Sequence, residues 1–531
     1  MYRWRRRLAR WVDPETPSQP DRPEGSPGRT GLVLAGGGAR ASFEIGALQY
    51  LYRHQNLDPD VISGTSAGAI LATALAQHSS SIDQAQTLDR LEAIFIGLQD
   101  SQDMFAEQPW FSALRGHIPT WRKAMVMRQR QANRVSLSES LQDLVARPRE
   151  AVARIAGDRP SAERPQQPPE RRPPQEAPSG ERTPPEHSSR WTPVHALETV
   201  STLWEVGRSS TDLDLIARGA QQERAAFKPG RIFDYLTDPQ TFSVERMQTS
   251  DVTLRLAVVS LETGELRYVD QNGMLRDRQD RVLPDLGPVG PVEATLASCS
   301  IPGVFPPVLM AGEHYVDGGI RENVPAAVVL DHHDLDRCYI VVAAPDGVPA
   351  TTSFADRDLM EILMRTTAVI MPDELQREEI AYASRRGAVV IQPELDIHDM
   401  VTIDPGLSSI AIDYGYLRAG DVCEGADATR SARTRDVIQL RRLIWTTEDQ
   451  AFRPHDPHDA SPAEPFSRTA ATESEQEAVQ EIAELKVRLR DLIADPGSAH
   501  LPPTADSWWR TWERHAFTIE AEPTWPGSYR E

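Results

Sequence analysis

Gly64-Thr65-Ser66-Ala67-Gly68 is the stretch in which one side chain could act as a nucleophile. A serine between small residues suits a sharp strand-to-helix turn, where the bend pushes the hydroxyl outward and glycines leave room for it. The neighbours supply both arms of such a turn. Val61-Ile62 reads as a short strand, and Ala69 to Ala76 as an Ala- and Leu-rich helix. That helix would aim its positive N-terminal end at Ser66, where negative charge would develop. The pentapeptide alone is weak evidence, because Gly and Ser are common in ordinary turns.

A second unit stands just upstream. Leu32-Val33-Leu34-Ala35 reads as a buried strand, and Gly36-Gly37-Gly38-Ala39-Arg40 follows at once, with helical periodicity from Phe43 to Tyr52. Successive glycines let backbone N–H groups converge on one concavity. Such a nest fits a nucleotide phosphate, an oxyanion, or no ligand at all. The nucleotide reading is disfavoured: the second strand ends in Ser63-Gly64-Thr65-Ser66 rather than an acidic residue for a ribose, and the loop lacks the Gly-Lys-Ser/Thr of a P-loop. Far downstream, Tyr315-Val316-Asp317-Gly318-Gly319 places a carboxylate at the end of a strand. Asp-Gly is also an ordinary turn pair.

These three motifs, in this order, resemble the patatin-like phospholipase family. Ala297 to Val308, with its Ile301-Pro302 bend, and Asn323-Val324-Pro325 support the match, which covers roughly Gly31 to Ala344. One departure is Ala41, where the family usually carries a further glycine; a positive φ there would strain an alanine. The resemblance implies a Ser66–Asp317 dyad in which Ser66 attacks a fatty acyl ester, Asp317 takes its proton, and an acyl-enzyme forms. It further implies that amides around Gly37, Gly38 and Ala39 hold the oxyanion, and that Gly318 and Gly319 keep space beside the carboxylate. Gly64, Thr65, Ala67 and Gly68 form the elbow. Arg40 either fixes the loop or meets a phosphate head group. No metal or cofactor is expected. The expected partner is a lipid or phospholipid substrate, with peripheral membrane contact left open and no protein partner identified. The alternative is a catalytically weak scaffold that keeps the fold.

Composition bounds the rest. The chain has 531 residues, 40% of them apolar, and a formal net charge of −21. The acidic balance argues against nucleic-acid binding, which needs a basic footprint, and gives no general attraction to anionic membranes. Three widely spaced cysteines, Cys299, Cys338 and Cys423, suggest neither a zinc site nor a disulfide framework and suit a reducing, cytoplasmic setting. No run approaches a spanning helix. Among 13 histidines none sits where a triad member would be expected; His314 should face away from Asp317 or lie below it, and His332 and His333 should lie at the surface.

The predicted fold is α/β: a mostly parallel central sheet covered by helices on both faces, with disordered insertions and a helical C-terminal extension. Residues 1–30 read as a basic tail and linker; Arg3 to Arg10, mixed with Trp4 and Leu8, could lie on a lipid surface, though a frayed tail is the simpler reading. Residues 31–425 read as the catalytic domain. A Pro-rich insertion at about 157–192 interrupts it, and helices are expected at Val194–Gly207 and Leu213–Phe227. Phe105, Trp110, Phe111, Leu114, Ile118 and Trp121 form an aromatic-rich patch that suits a lid, a lipid entry or simple core packing. Residues 426–531 read as an extension with a linker near 453–472, an amphipathic helix over Glu473–Ile493, and a tail carrying Trp508, Trp509, Trp512, Phe517 and Trp525. That tail should dock back on the domain rather than meet a membrane.

Overall fold

The computed structural model describes residues 28–109, 111–112, 225–230, 233–234, 238–239, 241–348, 350, 353–355, 357, 362, 365–453, 473–494, 500–519 and 523–525. The chain forms two compact units. One gathers residues 1–108 and 223–531; the other spans residues 109–222, of which only 109, 111 and 112 are described. The basic N-terminal tail, the Pro-rich insertion, the helix expected at 194–207, most of the 453–472 linker, and Trp110, Leu114, Ile118 and Trp121 lie outside the described residues.

The elements follow in order as β1 (Thr30–Leu34), α1 (Ala41–His54), β2 (Val61–Gly64), α2 (Ala67–Ala76), α3 (Ser81–Gly97), β3 (Phe105–Glu107) and β4 (Phe227–Pro229). Next come α4 (Val244–Thr249), β5 (Thr253–Ser260), β6 (Leu266–Val269), β7 (Leu275–Arg276), α5 (Pro291–Ser298), β8 (Val308–Met310) and β9 (Glu313–Asp317). The chain continues through α6 (Ala327–His332), β10 (Arg337–Val341), α7 (Met371–Arg385), β11 (Val389–Ile391), α8 (Pro405–Cys423), α9 (Ala428–Phe452), α10 (Glu473–Ile493) and α11 (Ala505–Trp508). The helix expected up to Phe227 is corrected at its end: Ala225 and Ala226 are a bend, and Phe227 opens β4, which pairs antiparallel with β3.

Strands β11, β10, β1, β2 and β5 run parallel in that spatial order, and β6 and β7 continue the sheet antiparallel. Alternation along each strand builds two cores, because successive side chains point to opposite faces. Leu32, Leu34, Ile62, Leu254 and Leu256 face α1, α2 and α8; Val33, Ala35, Val61, Ala257 and Ile340 face α6 and α7. The mostly parallel, doubly covered sheet is therefore as the sequence indicates.

Helices α1 and α8 touch backbone to backbone. A methyl on Gly46 would stand 1.7 Å from the Ile412 carbonyl, and one on Gly415 would stand 1.9 Å from that of Phe43. The extension docks through a charged knot. Arg441 of α9 donates to Asp413 of α8 at 2.5 Å and to Glu513 at 2.7 and 3.1 Å. Asp413 also accepts from Trp508 Nε1 at 3.0 Å. Lys486 of α10 is fully buried and donates to the carbonyls of Trp508 and Thr511 at 2.7 and 2.8 Å. The Trp-rich tail thus packs inward, with Trp508 and Trp525 at 3% and 1% exposure. Removing the cation leaves the buried Asp413 carboxylate without a counter-charge and Glu513 with only Lys486, at 4.0 Å. Arg441→Ala is therefore expected to destabilise the fold by about 3–5 kcal/mol, read as a lowered midpoint in urea unfolding.

Candidate active site

Two strands meet end to end along one edge of β5. Parallel β2 pairs residues 253–256 and stops with Gly64 opposite Leu256. Antiparallel β9 arrives from the other direction, with Asp317 opposite Val258. The two strand ends are thus two β5 residues apart, about 7 Å at the usual strand rise. This opposed approach carries Ser66 and Asp317 into the wall of one cavity although 250 residues separate them in the chain, close enough for the Ser66 hydroxyl to favour the ionised Asp317 carboxylate.

Ser66 sits at φ 54° and ψ −126°, in the left-handed half of the map that L-residues rarely occupy. The elbow needs its glycines for close approach. A methyl on Gly64 would meet the Gly68 carbonyl at 2.5 Å, and one on Gly68 would meet the Ala35 carbonyl at 2.5 Å. Helix α2 starts at Ala67, so its free amides lie beside the serine. The C-terminal end of α5 and its cap residue hold the Ser66 backbone. Ser66 N–H donates to Ser298 Oγ at 3.0 Å, and Cys299 Sγ donates to the Ser66 carbonyl at 3.0 Å.

Asp317 is 5% exposed. Burial pushes its carboxyl up to about 7, against the lowering effect of the hydrogen bond from the Gly319 amide, at 2.7 Å, and of the nearby Ser66 hydroxyl. Gly319 therefore orients the carboxylate. Gly318 does something other than the expected spacing for substrate: its missing side chain lets the turn lie on β5, where a methyl would stand 2.6 Å from the Ala257 carbonyl.

The glycine loop curls past both groups. Gly36 and Asn323 exchange hydrogen bonds: Gly36 N–H donates to the Asn323 carbonyl at 3.0 Å, and Asn323 Nδ2 donates to the Gly36 carbonyl at 3.3 Å. Glu379 of α7 holds that turn by accepting the amides of Asn323 and Val324, at 3.1 and 2.7 Å. Gly38 has φ +59°, and a methyl there would meet the Met400 carbonyl at 2.4 Å. The Ala39 amide donates to that same carbonyl at 2.9 Å. This corrects the expectation that the Ala39 amide faces an oxyanion. Ala41 is helical at φ −58°, so the departure from glycine carries no strain. Arg40 fixes the loop, forking onto Asp396 at 2.6 and 3.0 Å and reaching the His398 carbonyl at 3.1 Å.

Ser66, Asp317, Gly36, Gly37, Gly319 and Asn323 line one side of a cavity of about 200 Å³. Much of the rest of its wall is apolar, including Ile301, Pro302, Ile320, Val348, Val369 and Met371. Among the described residues no histidine lines it. His314 turns away to Glu262 at 2.7 Å, while His333, expected at the surface, is half-buried and pushed down to about 4 by burial.

The family model for patatin-like phospholipases matches residues 32–330, over half of the chain. The chain belongs to the patatin-like phospholipase family. Among curated proteins, this patatin-like chain is 55% identical over 51 residues to triacylglycerol lipase 4 of Saccharomyces cerevisiae, spanning 10% of this chain and 6% of that protein. It is 49% identical over 53 residues to triacylglycerol lipase 5 of the same yeast, spanning 10% and 7%. The chain thus covers less than a tenth of those relatives' length. Similar solved structures include VipD from Legionella pneumophila, with TM-score 0.31, 14% identity, and coverage of 95% of this chain and 94% of that one. ExoU of Pseudomonas aeruginosa, solved in complex with SpcU, gives TM-score 0.20 and 17% identity over 91% and 70%.

Residues that the sequence left without roles are Ser298, Cys299, Asn323, Glu379, Asp396 and Met400. The first three stand in stretches that already resembled the family. The last three lie in the C-terminal third and carry no local signal.

Proposed function

We propose that this protein is a serine lipid acyl hydrolase acting through Ser66 and Asp317. The placement of Ser66 and Asp317 together in the wall of one largely apolar cavity carries the reading. Ser66 Oγ attacks the ester carbonyl as Asp317 accepts its proton, and the tetrahedral oxyanion draws on the Gly37 and Gly38 amides. Asp317 then returns the proton to the leaving alkoxide. In the second half, Asp317 draws a proton from the water that attacks the acyl-enzyme and returns it to Ser66 Oγ as the fatty acid leaves. Family membership and the local likeness to yeast lipases support this chemistry. The three cysteines, none in a disulfide, suit a reducing compartment. Among the described residues no helix is long and apolar enough to cross a membrane.

An alkyl fluorophosphonate should attach covalently to the protein, with the adduct mapped by peptide mass spectrometry to Ser66. Labelling elsewhere, or none, would reject the reading. Gly38→Ala, strained at φ +59° and clashing with the Met400 carbonyl, should displace the loop and lower kcat by about 10²–10³-fold, with a lowered melting temperature.

A further inference from the structure

Large exposed apolar side chains stand on, or next in sequence to, the residues that line the cavity. Ile320 and Met371 line the cavity and are 37% and 50% exposed. Ile370, between the lining residues Val369 and Met371, is 47% exposed, and Val401, next to lining residue Met400, is 37% exposed. They come from three separate segments: the turn after β9, the start of α7, and the loop before α8. Exposed apolar groups converging on one opening mark an interaction surface, whereas scattered ones need no explanation.

The charges beside this rim narrow the partner. Asp346, Asp373 and Glu374 stand there with Arg377, which pairs with all three at 2.9–3.1 Å. Three acids against one base leave the rim acidic, as the chain is overall. An anionic surface would be repelled. Arg40, the cation in the cavity wall, is already held by Asp396. A protein seated on the rim would close the opening, whereas a lipid layer would feed it.

We propose that Ile320, Ile370, Met371 and Val401 seat the protein on a net-uncharged lipid surface, with the cavity mouth facing the acyl layer. The proposal rests on the reading of the cavity as an acyl-ester site. It predicts that docking is apolar and little affected by salt.

Flotation of the full-length chain with phosphatidylcholine vesicles tests this, in a Ser66→Ala background so that the lipid stays intact. The comparison is the double variant Ile370→Ser/Val401→Ser, whose residues lie beside the cavity rather than in its lining. The account expects vesicle binding to fall about tenfold or more. With Ser66 restored, turnover of a water-soluble short-chain ester and the melting temperature should stay at parental values, which shows that the variant is folded. Equal vesicle binding by parent and variant would overturn the proposal. Binding that needs added phosphatidylglycerol and survives the substitutions would also overturn it, pointing to the basic segment near Arg3–Arg10. A parental dimer in sedimentation that the substitutions dissolve would assign the rim to a second copy and overturn it too. Rim-dependent flotation without any esterase activity would uphold docking and reject the hydrolase reading. Full esterase activity without rim dependence would do the reverse.

Discussion

Ser66→Ala is expected to lower ester hydrolysis by about 10⁴-fold or more while leaving the fold intact. Among the described lining residues no other hydroxyl or thiol can take over the attack: there is no cysteine, threonine or second serine among them. Alanine keeps the Cβ and loses only the hydroxyl, so packing against the C-terminal end of α5 should survive. The strained φ of 54° is kept as well, so stability should change little. A steady-state assay with a chromogenic ester, alongside thermal melting, reads both. Parental turnover in the variant would end the nucleophile assignment.

The second large effect belongs to Asp317. To accept the Ser66 proton its carboxyl must be ionised, and burial lifts that ionisation to about 7. The kcat/KM profile should therefore rise about tenfold per pH unit below 7 and level off above it. Asp317→Asn should lower kcat by about 10⁴-fold and abolish that rise. The same group has a stability consequence of definite sign. Its folded pKa is raised above the unfolded value, so the folded state binds the proton more tightly. The resulting stability is fully present below the unfolded value near 3.8 and is lost as pH rises through about 7. Asp317→Asn, with no charge to bury, should then melt higher than the parent above pH 7 while being far less active. A pH-independent activity, or a variant that melts lower at alkaline pH, would contradict the role given to this carboxylate.

Much of the site was legible because its parts are local. The elbow around Ser66, the glycine loop and the Asp-Gly-Gly turn each combine an apolar strand with small residues at a bend, and that pattern survives in one dimension. The meeting of β2 and β9 on one edge of β5 was not legible, because strand pairing over long separations leaves no periodic trace. The same holds for Arg40 and Asp396, 356 residues apart, whose ion pair decides that this arginine holds the loop. The Ala39 amide shows a different limit. Three glycines announce a nest, but which amides stay free depends on where a distant carbonyl, here that of Met400, is placed. In the extension, the amphipathic pattern of α10 was legible but left open what its apolar face meets; the structure buries Ile482 and Leu489. The pattern missed Lys486 on the same face, since a lysine becomes a core residue only when carbonyls such as those of Trp508 and Thr511 wait for it.

A double-mutant cycle on kcat/KM with Ser66→Ala, Asp317→Asn and the pair together tests most directly whether the two residues act as one machine. The account predicts that the pair is no slower than Ser66→Ala alone, because a base without its nucleophile has nothing left to contribute. Losses that multiply across the cycle would mean that the two groups work independently, and would contradict it.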